Sequence, residues 1–142
     1  MSTEDNKAIA RRVFEETLNQ RNLAIVDELN TPDFVYHTDA TTMQGREPFK
    51  QYLSMLLIAF PDLHVSIEDV IGEGDRVVVR CTLRGTHQGE LMGMAPTGKQ
   101  VAMTGIAIIL IANGKLVEEW ANTDILGMMQ QLGVIPALGQ AS

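Results

Sequence analysis

Cysteine is nearly missing from this chain: Cys81 is the only one in 142 residues. A single cysteine closes no internal disulfide, so a reducing, cytoplasmic setting is expected. Positive charge is also scarce. Eleven Lys and Arg stand against eighteen Asp and Glu, a net charge of −7 with pI ≈ 4.8. A surface of that sign repels phosphate backbones, which argues against nucleic acid as a partner. No apolar run reaches the roughly 20 residues that cross a bilayer, so no membrane partner is expected. The first residues, Met1 to Asn6, are polar and acidic, unlike a signal peptide. No P-loop, dinucleotide-binding glycine pattern or zinc-type Cys/His spacing occurs. The three histidines, His37, His64 and His87, lie too far apart in sequence to make a metal signal.

What is present is a folded chain. The apolar fraction is 45% and the charged fraction 20%, typical of a globular protein. The length fits one domain, residues 1–142, able to bury a real core. Ser2 or Thr3 can cap a first helix carrying Ile9, Val13, Phe14 and Leu18 at helical spacing. Asn22 can cap a short second helix that Thr31-Pro32-Asp33 ends. Phe34 to His37 reads as a short extended piece before a polar loop, Thr38 to Gln44. A third helix opens at Gly45-Arg-Glu-Pro48, and its wide stripe from Phe49 to Phe60 reads as core.

The pattern then changes to alternation. Val65 and Ile67 alternate with polar neighbours, and Glu73-Gly74-Asp75 makes a turn. Arg76 to His87 comes next, with Val77, Val79, Cys81 and Leu83 on one face and Arg80, Thr82 and Arg84 on the other. Gly85 marks a possible bulge. Asn113-Gly114 is a strong hairpin signal between two further strands. Gln140 to Ser142 is expected to fray. Helices first and antiparallel strands after give an α+β fold, a curved sheet wrapped on helices around one apolar cavity. Ile106 to Ile111 is apolar on both faces, more than one small domain readily buries, so a homodimer covering the outer sheet face is expected.

The strand after Asn113-Gly114 carries the most chemistry. Alternation groups Glu118, Trp120, Asn122 and Asp124 on one face, and Val117, Glu119, Ala121 and Thr123 on the other. A carboxylate that shares a face with a large buried aromatic and enters a dry cavity becomes a proton-transfer group. Asp124 therefore has two readings that coexist: acid/base residue, and N-cap of a helix starting at Ile125. His37 and His87 can hydrogen-bond a ligand oxygen or sit as satisfied histidines at the sheet rim. Arg80 can bind an anionic or enolate oxygen, or pair with a cross-strand carboxylate. Met92 and Met94 form either a pliable lid or a loop anchor, and Cys81 reads as a small buried hydrophobe.

Several of these stretches together resemble the SnoaL-like polyketide cyclases of the NTF2-like superfamily. They are Phe60-Pro-Asp-Leu-His64, Ile67-Glu-Asp69, Gly85-Thr-His87, Pro96-Thr-Gly-Lys99, Asn113-Gly-Lys115, Glu118-Glu-Trp120 and Asp124-Ile-Leu-Gly-Met-Met-Gln-Gln-Leu-Gly133. The resemblance spans nearly the whole chain. It implies a cone-shaped α+β barrel, usually homodimeric, that closes a ring by intramolecular aldol condensation without metal or organic cofactor. Isomerases and a dehydratase share the scaffold. Asp124 matches the family's acid/base aspartate, and His37 and His87 match its pocket histidines. On this reading Asp124 is catalytic, with His37, Arg80, His87, Trp120, Asn122 and Met94 around a small apolar or aromatic carbonyl ligand. Cys81 and Leu110 depart from the bulky aromatic and the basic residue that relatives often carry, implying a smaller or less polar pocket wall. A non-catalytic ligand-binding module is the alternative.

Overall fold

A computed structural model describes residues 2–38 and 40–136. Gln140-Ala-Ser142, expected to fray, lies outside the described residues.

Ser2 caps α1, Thr3–Phe14, in a reciprocal capping box with Asp5. The helix then widens into a π-helical turn, Glu15–Asn19. Next comes α2, Ala24–Leu29, whose N-cap is Leu23 with no side-chain hydrogen bond; the expected Asn22 cap does not form. The chain passes directly into β1, Asn30–His37, longer than the extended piece read from Phe34 to His37. A short β2, Thr42–Gln44, lies in the stretch read as a polar loop. Helix α3, Arg46–Ala59, starts where expected and buries Phe49, Leu53 and Ala59.

The remaining strands are β3, His64–Glu73; β4, Arg76–Thr86; β5, Gln100–Ala112; and β6, Lys115–Thr123. Helix α4, Ile125–Leu132, completes the described elements. The sheet order is β2-β1-β6-β5-β4-β3. Only β1 and β6 run parallel; the other neighbours are antiparallel. The Asn113-Gly114 hairpin joins the two central strands, with both turn residues at positive φ as a type I′ turn needs. The expected α+β architecture, a curved and unclosed sheet against helices, is the one observed.

Among the described residues, two bulges shape the antiparallel part of that sheet, and the parallel β1–β6 pair also shifts register between Asn30 and Val35. Glu68 is the extra residue of β3, because Ile67 pairs with Cys81 and Asp69 with Arg80. Val117 is the extra residue of β6, because Leu116 pairs with Ile111 and Glu118 with Leu110. Each bulge bends its strand and increases its twist. No bulge occurs at Gly85, which pairs in register with Val101. Its lack of a side chain has another cause: a Cβ there would lie 2.9 Å from the Cβ of Phe60.

The two faces of the sheet differ. Inward lie Val77, Val79, Cys81 and Leu83 of β4 and Val101, Met103, Ala107, Ile109 and Ile111 of β5, all buried. Outward, registered neighbours form a row across four strands and onto the fifth: Ile71, Val78, Ile108, Trp120 and His37. Ile71 is 62% exposed and Ile108 39%, so this apolar row faces solvent in the single chain. Among the described residues no helix is long and apolar enough to cross a membrane.

Candidate active site

The helices and the inner sheet face enclose a cavity of about 120 Å³. Its wall is mostly apolar, built from Phe14, Phe49, Leu53 and Leu56 on the helical side and Val65, Leu83, Met103 and Ala107 on the sheet side. An engineered cavity of ~150 Å³ holds a benzene molecule, so the space suits a ligand of about that size. Met128 of α4 and Leu91 and Met92 of the β4–β5 loop complete the wall.

Among the described residues one carboxyl belongs to this wall, and it is Glu119. The residue is 4% exposed. It makes no hydrogen bond or ion pair among the described residues, and burial alone pushes its pKa from the ordinary 4.5 up to about 8. Below that pH the side chain is a neutral acid, able to donate a hydrogen bond into an apolar space. Cys81 lines the same wall, and burial, followed by the nearby carboxylates of Glu119 and Glu68, raises its thiol to about 11. A thiol so raised is no nucleophile at neutral pH, in line with its reading as a small hydrophobe. Tyr36, Tyr52, Thr17 and Thr123 supply the other polar groups of the lining.

The residues singled out from sequence fall elsewhere. Glu118, Trp120 and Asn122 do share a face, but it is the outer one; Glu119, Ala121 and Thr123 line the cavity. Trp120 stacks on His37 at 5.3 Å with the rings 9° from parallel, and the Arg76 guanidinium stands 5.3 Å from its centroid. His37 Nε2 meets Glu118 Oε2 at 2.5 Å and Nδ1 meets Thr42 Oγ1 at 3.0 Å. These side chains form an outer-face cluster of ring, cation and carboxylate, on the far side of the sheet from the cavity. Arg80 lies on that face too, donating to Asp69 Oδ2 at 2.6 Å, the cross-strand pair that was one of its two readings.

His87 is fully buried but does not line the cavity. Its Nδ1 accepts from the Thr97 backbone N–H at 3.2 Å, and its own backbone exchanges hydrogen bonds with Gly98 and Lys99. It pins the β4–β5 loop. Met94 pairs with Leu91 through two backbone hydrogen bonds, leaving Met92 over the cavity, at φ 47° and 56% exposed. Leu110 is registered against Glu118 on the outer face, so of the two departures only Cys81 bears on the cavity wall.

Asp124 is exposed and caps α4, its Oδ1 accepting from the Gly127 N–H at 2.9 Å. Its chain neighbours Thr123 and Ile125 line the cavity, which puts Asp124 at the end of the strand that carries Glu119. Gly127 is part of the cap, since a Cβ there would fall 2.1 Å from Asp124 Oδ2. Among the described residues no group of three or more His, Cys, Asp or Glu is arranged to hold a metal ion.

Glu119 and Thr17 do not stand out in the sequence. The adjacent pair Glu118-Glu119 offers no polarity contrast, and the lone tryptophan is a misleading guide to the inside. The usable signal is register: Glu119 pairs with Ile109, which pairs with Val77, both on the buried face.

The family model described as SnoaL-like polyketide cyclase matches residues 8–132. Aklanonic acid methyl ester cyclase DnrD of Streptomyces peucetius is 32% identical over 92 residues, 64% of this chain and 63% of that protein, so the match spans under two thirds of the relative's length. A solved SnoaL-like protein from Jannaschia sp. CCS1 is 28% identical with TM-score 0.87, covering 94% of this chain and 95% of the other. AclR of Streptomyces galilaeus, described as a hydroxylase, gives the same identity and TM-score over 98% of this chain and 87% of its own.

Proposed function

The chain belongs to the SnoaL-like polyketide cyclase family, and from that premise we propose that it is a cofactor-independent enzyme closing a ring on a small keto-ester or related carbonyl compound inside the cavity. The observation that carries this reading is the unpartnered Glu119 carboxyl, 4% exposed in a largely apolar wall. Protonated at neutral pH, Glu119 donates a hydrogen bond to a ligand carbonyl oxygen. That bond strengthens as the oxygen gains negative charge, so it favours the enolate over the ketone. Asp124, at the end of the same strand, is the proton acceptor that the family resemblance assigns. It takes a proton from the carbon beside the carbonyl of a ligand that reaches past Thr123 and Ile125, since Asp124 itself does not line the cavity. The enolate carbon attacks a second carbonyl of the same molecule, one C–C bond forms, and the new alkoxide recovers the proton from Asp124. No oxidant or reductant is consumed.

The cavity size favours a compact ligand. Among the described residues its lining holds no cation, which favours an uncharged ligand, since an anion would meet no compensating charge there. A homodimer joined over the outer apolar row is part of the proposal, because that row is otherwise left in solvent.

Exchange of the α-hydrogens of 2-hexanone in deuterium oxide, monitored by proton NMR, tests the chemistry without knowledge of the natural substrate. Wild type is expected to accelerate exchange, and Glu119→Leu to lose the acceleration. A wild type that binds the ketone but exchanges nothing between pH 5 and 9 would leave a ligand-binding module. Asp124's complete capping geometry is the observation that favours this second reading.

A further inference from the structure

Besides the Glu119 carboxyl, four residues, Thr17, Asn30, Thr31 and His87, hold side-chain polar atoms that are wholly shielded from solvent and have no hydrogen-bond partner among the described residues. Of these only Thr17 lines the cavity. It is 1% exposed. A helical threonine usually returns its hydroxyl to a carbonyl one turn earlier. Thr17 does not, and it sits in the middle of the π-helical turn Glu15–Asn19. Such turns are rare and gather at functional sites. An orphaned hydroxyl in an apolar wall is a cost to the free protein that a hydrogen-bonding ligand removes.

We propose that Thr17 is a ligand-binding residue that recognises a second oxygen on the substrate, so that the cavity selects a neutral compound with two carbonyl groups. The inference rests on the ring-closing reading and deepens it. Aldol closure needs one carbonyl to enolise and another to be attacked. Glu119 on β6 serves the first. Thr17, on the helical side of the same cavity, donates its O–H to the second and makes that carbon more electrophilic. A monoketone satisfies Glu119 alone and leaves the Thr17 hydroxyl orphaned, as in the free protein.

The test uses two probes of equal chain length, methyl acetoacetate and 2-hexanone, which differ in the ester group. Affinities are read by NMR titration of wild type, Thr17→Val, Thr17→Ser and Glu119→Leu. Wild type is expected to prefer methyl acetoacetate by roughly threefold to tenfold, the worth of one net hydrogen bond. Thr17→Val should erase that preference and leave 2-hexanone affinity unchanged, while Thr17→Ser should keep it. Without ligand, Thr17→Val should also melt higher than wild type, because the same shape no longer buries an unpaired hydroxyl. A lower melting temperature would mean the hydroxyl is structural and would overturn the proposal. Equal weakening of both probes, or of neither, in Thr17→Val overturns it as well. Failure of the ring-closing reading looks different: 2-hexanone affinity and exchange are then indifferent to Glu119→Leu. Binding of neither probe to wild type sinks both.

Discussion

Glu118 and Glu119 are neighbours on one strand with opposite circumstances. Glu118 lies on the outer face, is half-buried, and meets His37, which stacks on Trp120. Glu119 lies on the inner face, is 4% exposed, and meets no partner among the described residues. Sequence places them together; the sheet separates them by its own thickness. A polar cluster rich in familiar catalytic residue types is therefore no guide to where chemistry is poised. In the outer cluster His37 and Glu118 satisfy each other, and satisfied groups have little left to offer a ligand. The inner carboxyl is unsatisfied, and that makes it available.

The largest test of this contrast is at Glu119. In Glu119→Leu, ketone exchange should fall by about 10²–10³-fold, the usual cost of losing one preorganised donor to a developing oxyanion. Glu119→Gln keeps an N–H donor and should retain part of the rate. Wild-type rate should decline as pH passes about 8 and Glu119 ionises, and the Gln variant should lack that decline. A wild-type rate flat through pH 9 would remove Glu119 as the donor.

Stability depends on the same group. The folded pKa, about 8, stands above the ordinary 4.5, so between those values the unfolded chain has released a proton that the native protein still holds. Stability contributed through this residue is full below the lower value, falls by up to ~1.4 kcal/mol per pH unit across the window, and levels off above the higher one. Denaturant titrations at pH 5 and pH 8 should show the fall in wild type and a smaller one in Glu119→Gln. The outer face offers a different break. Ile108→Glu places a charge in the exposed apolar row, and light scattering should move from twice 15.6 kDa to that mass itself, with the circular dichroism spectrum kept. A wild type already at the single mass would remove the dimer.

On stability, smaller effects are expected at Asp124. Asp124→Ala should cost roughly 1 kcal/mol through loss of the cap, and Asp124→Asn well under ~1 kcal/mol, since asparagine caps comparably. If Asp124 accepts the carbon-bound proton, both lose ketone exchange by about 10²–10⁴-fold with binding preserved. Near-normal exchange in the Asn variant would leave capping as its whole role. The smallest effect belongs to Glu118→Gln. Its exposed pair with His37 should contribute at most ~1 kcal/mol by thermal melts, and exchange should not change.

The architecture was largely legible in the chain. Helical spacing around Val13 and Phe49, alternation through Val77 to Leu83, and Asn113-Gly114 each specify local geometry through side-chain chemistry alone. The start of β1 was not, because Thr31-Pro32-Asp33 has the composition of a helix stop and gives no sign that a strand already runs through it. The site was less legible for one reason. Alternation sorts a strand into two faces but does not say which face is inside. Trp120 suggested one answer, and the register of Glu119 with Ile109 gives the other. Nor does sequence announce a π-helical turn, whose residues Glu15 to Asn19 also suit an ordinary helix.

Residue 117 adds one further consequence. On β6, Leu116 and Glu119 both belong to the buried set although three positions separate them, and the unpaired Val117 absorbs the odd step. A chain lacking that residue would pair Leu116 and Glu118 with Ile111 and Leu110 without interruption, and Glu119 would still point inward. What it would lose is the bend. Orientation of the acid and curvature around it are thus separately adjustable: the first is written in parity, the second in a single surplus peptide unit. The room available to a ligand can then be retuned by strand length alone, with every side chain of the wall left as it is.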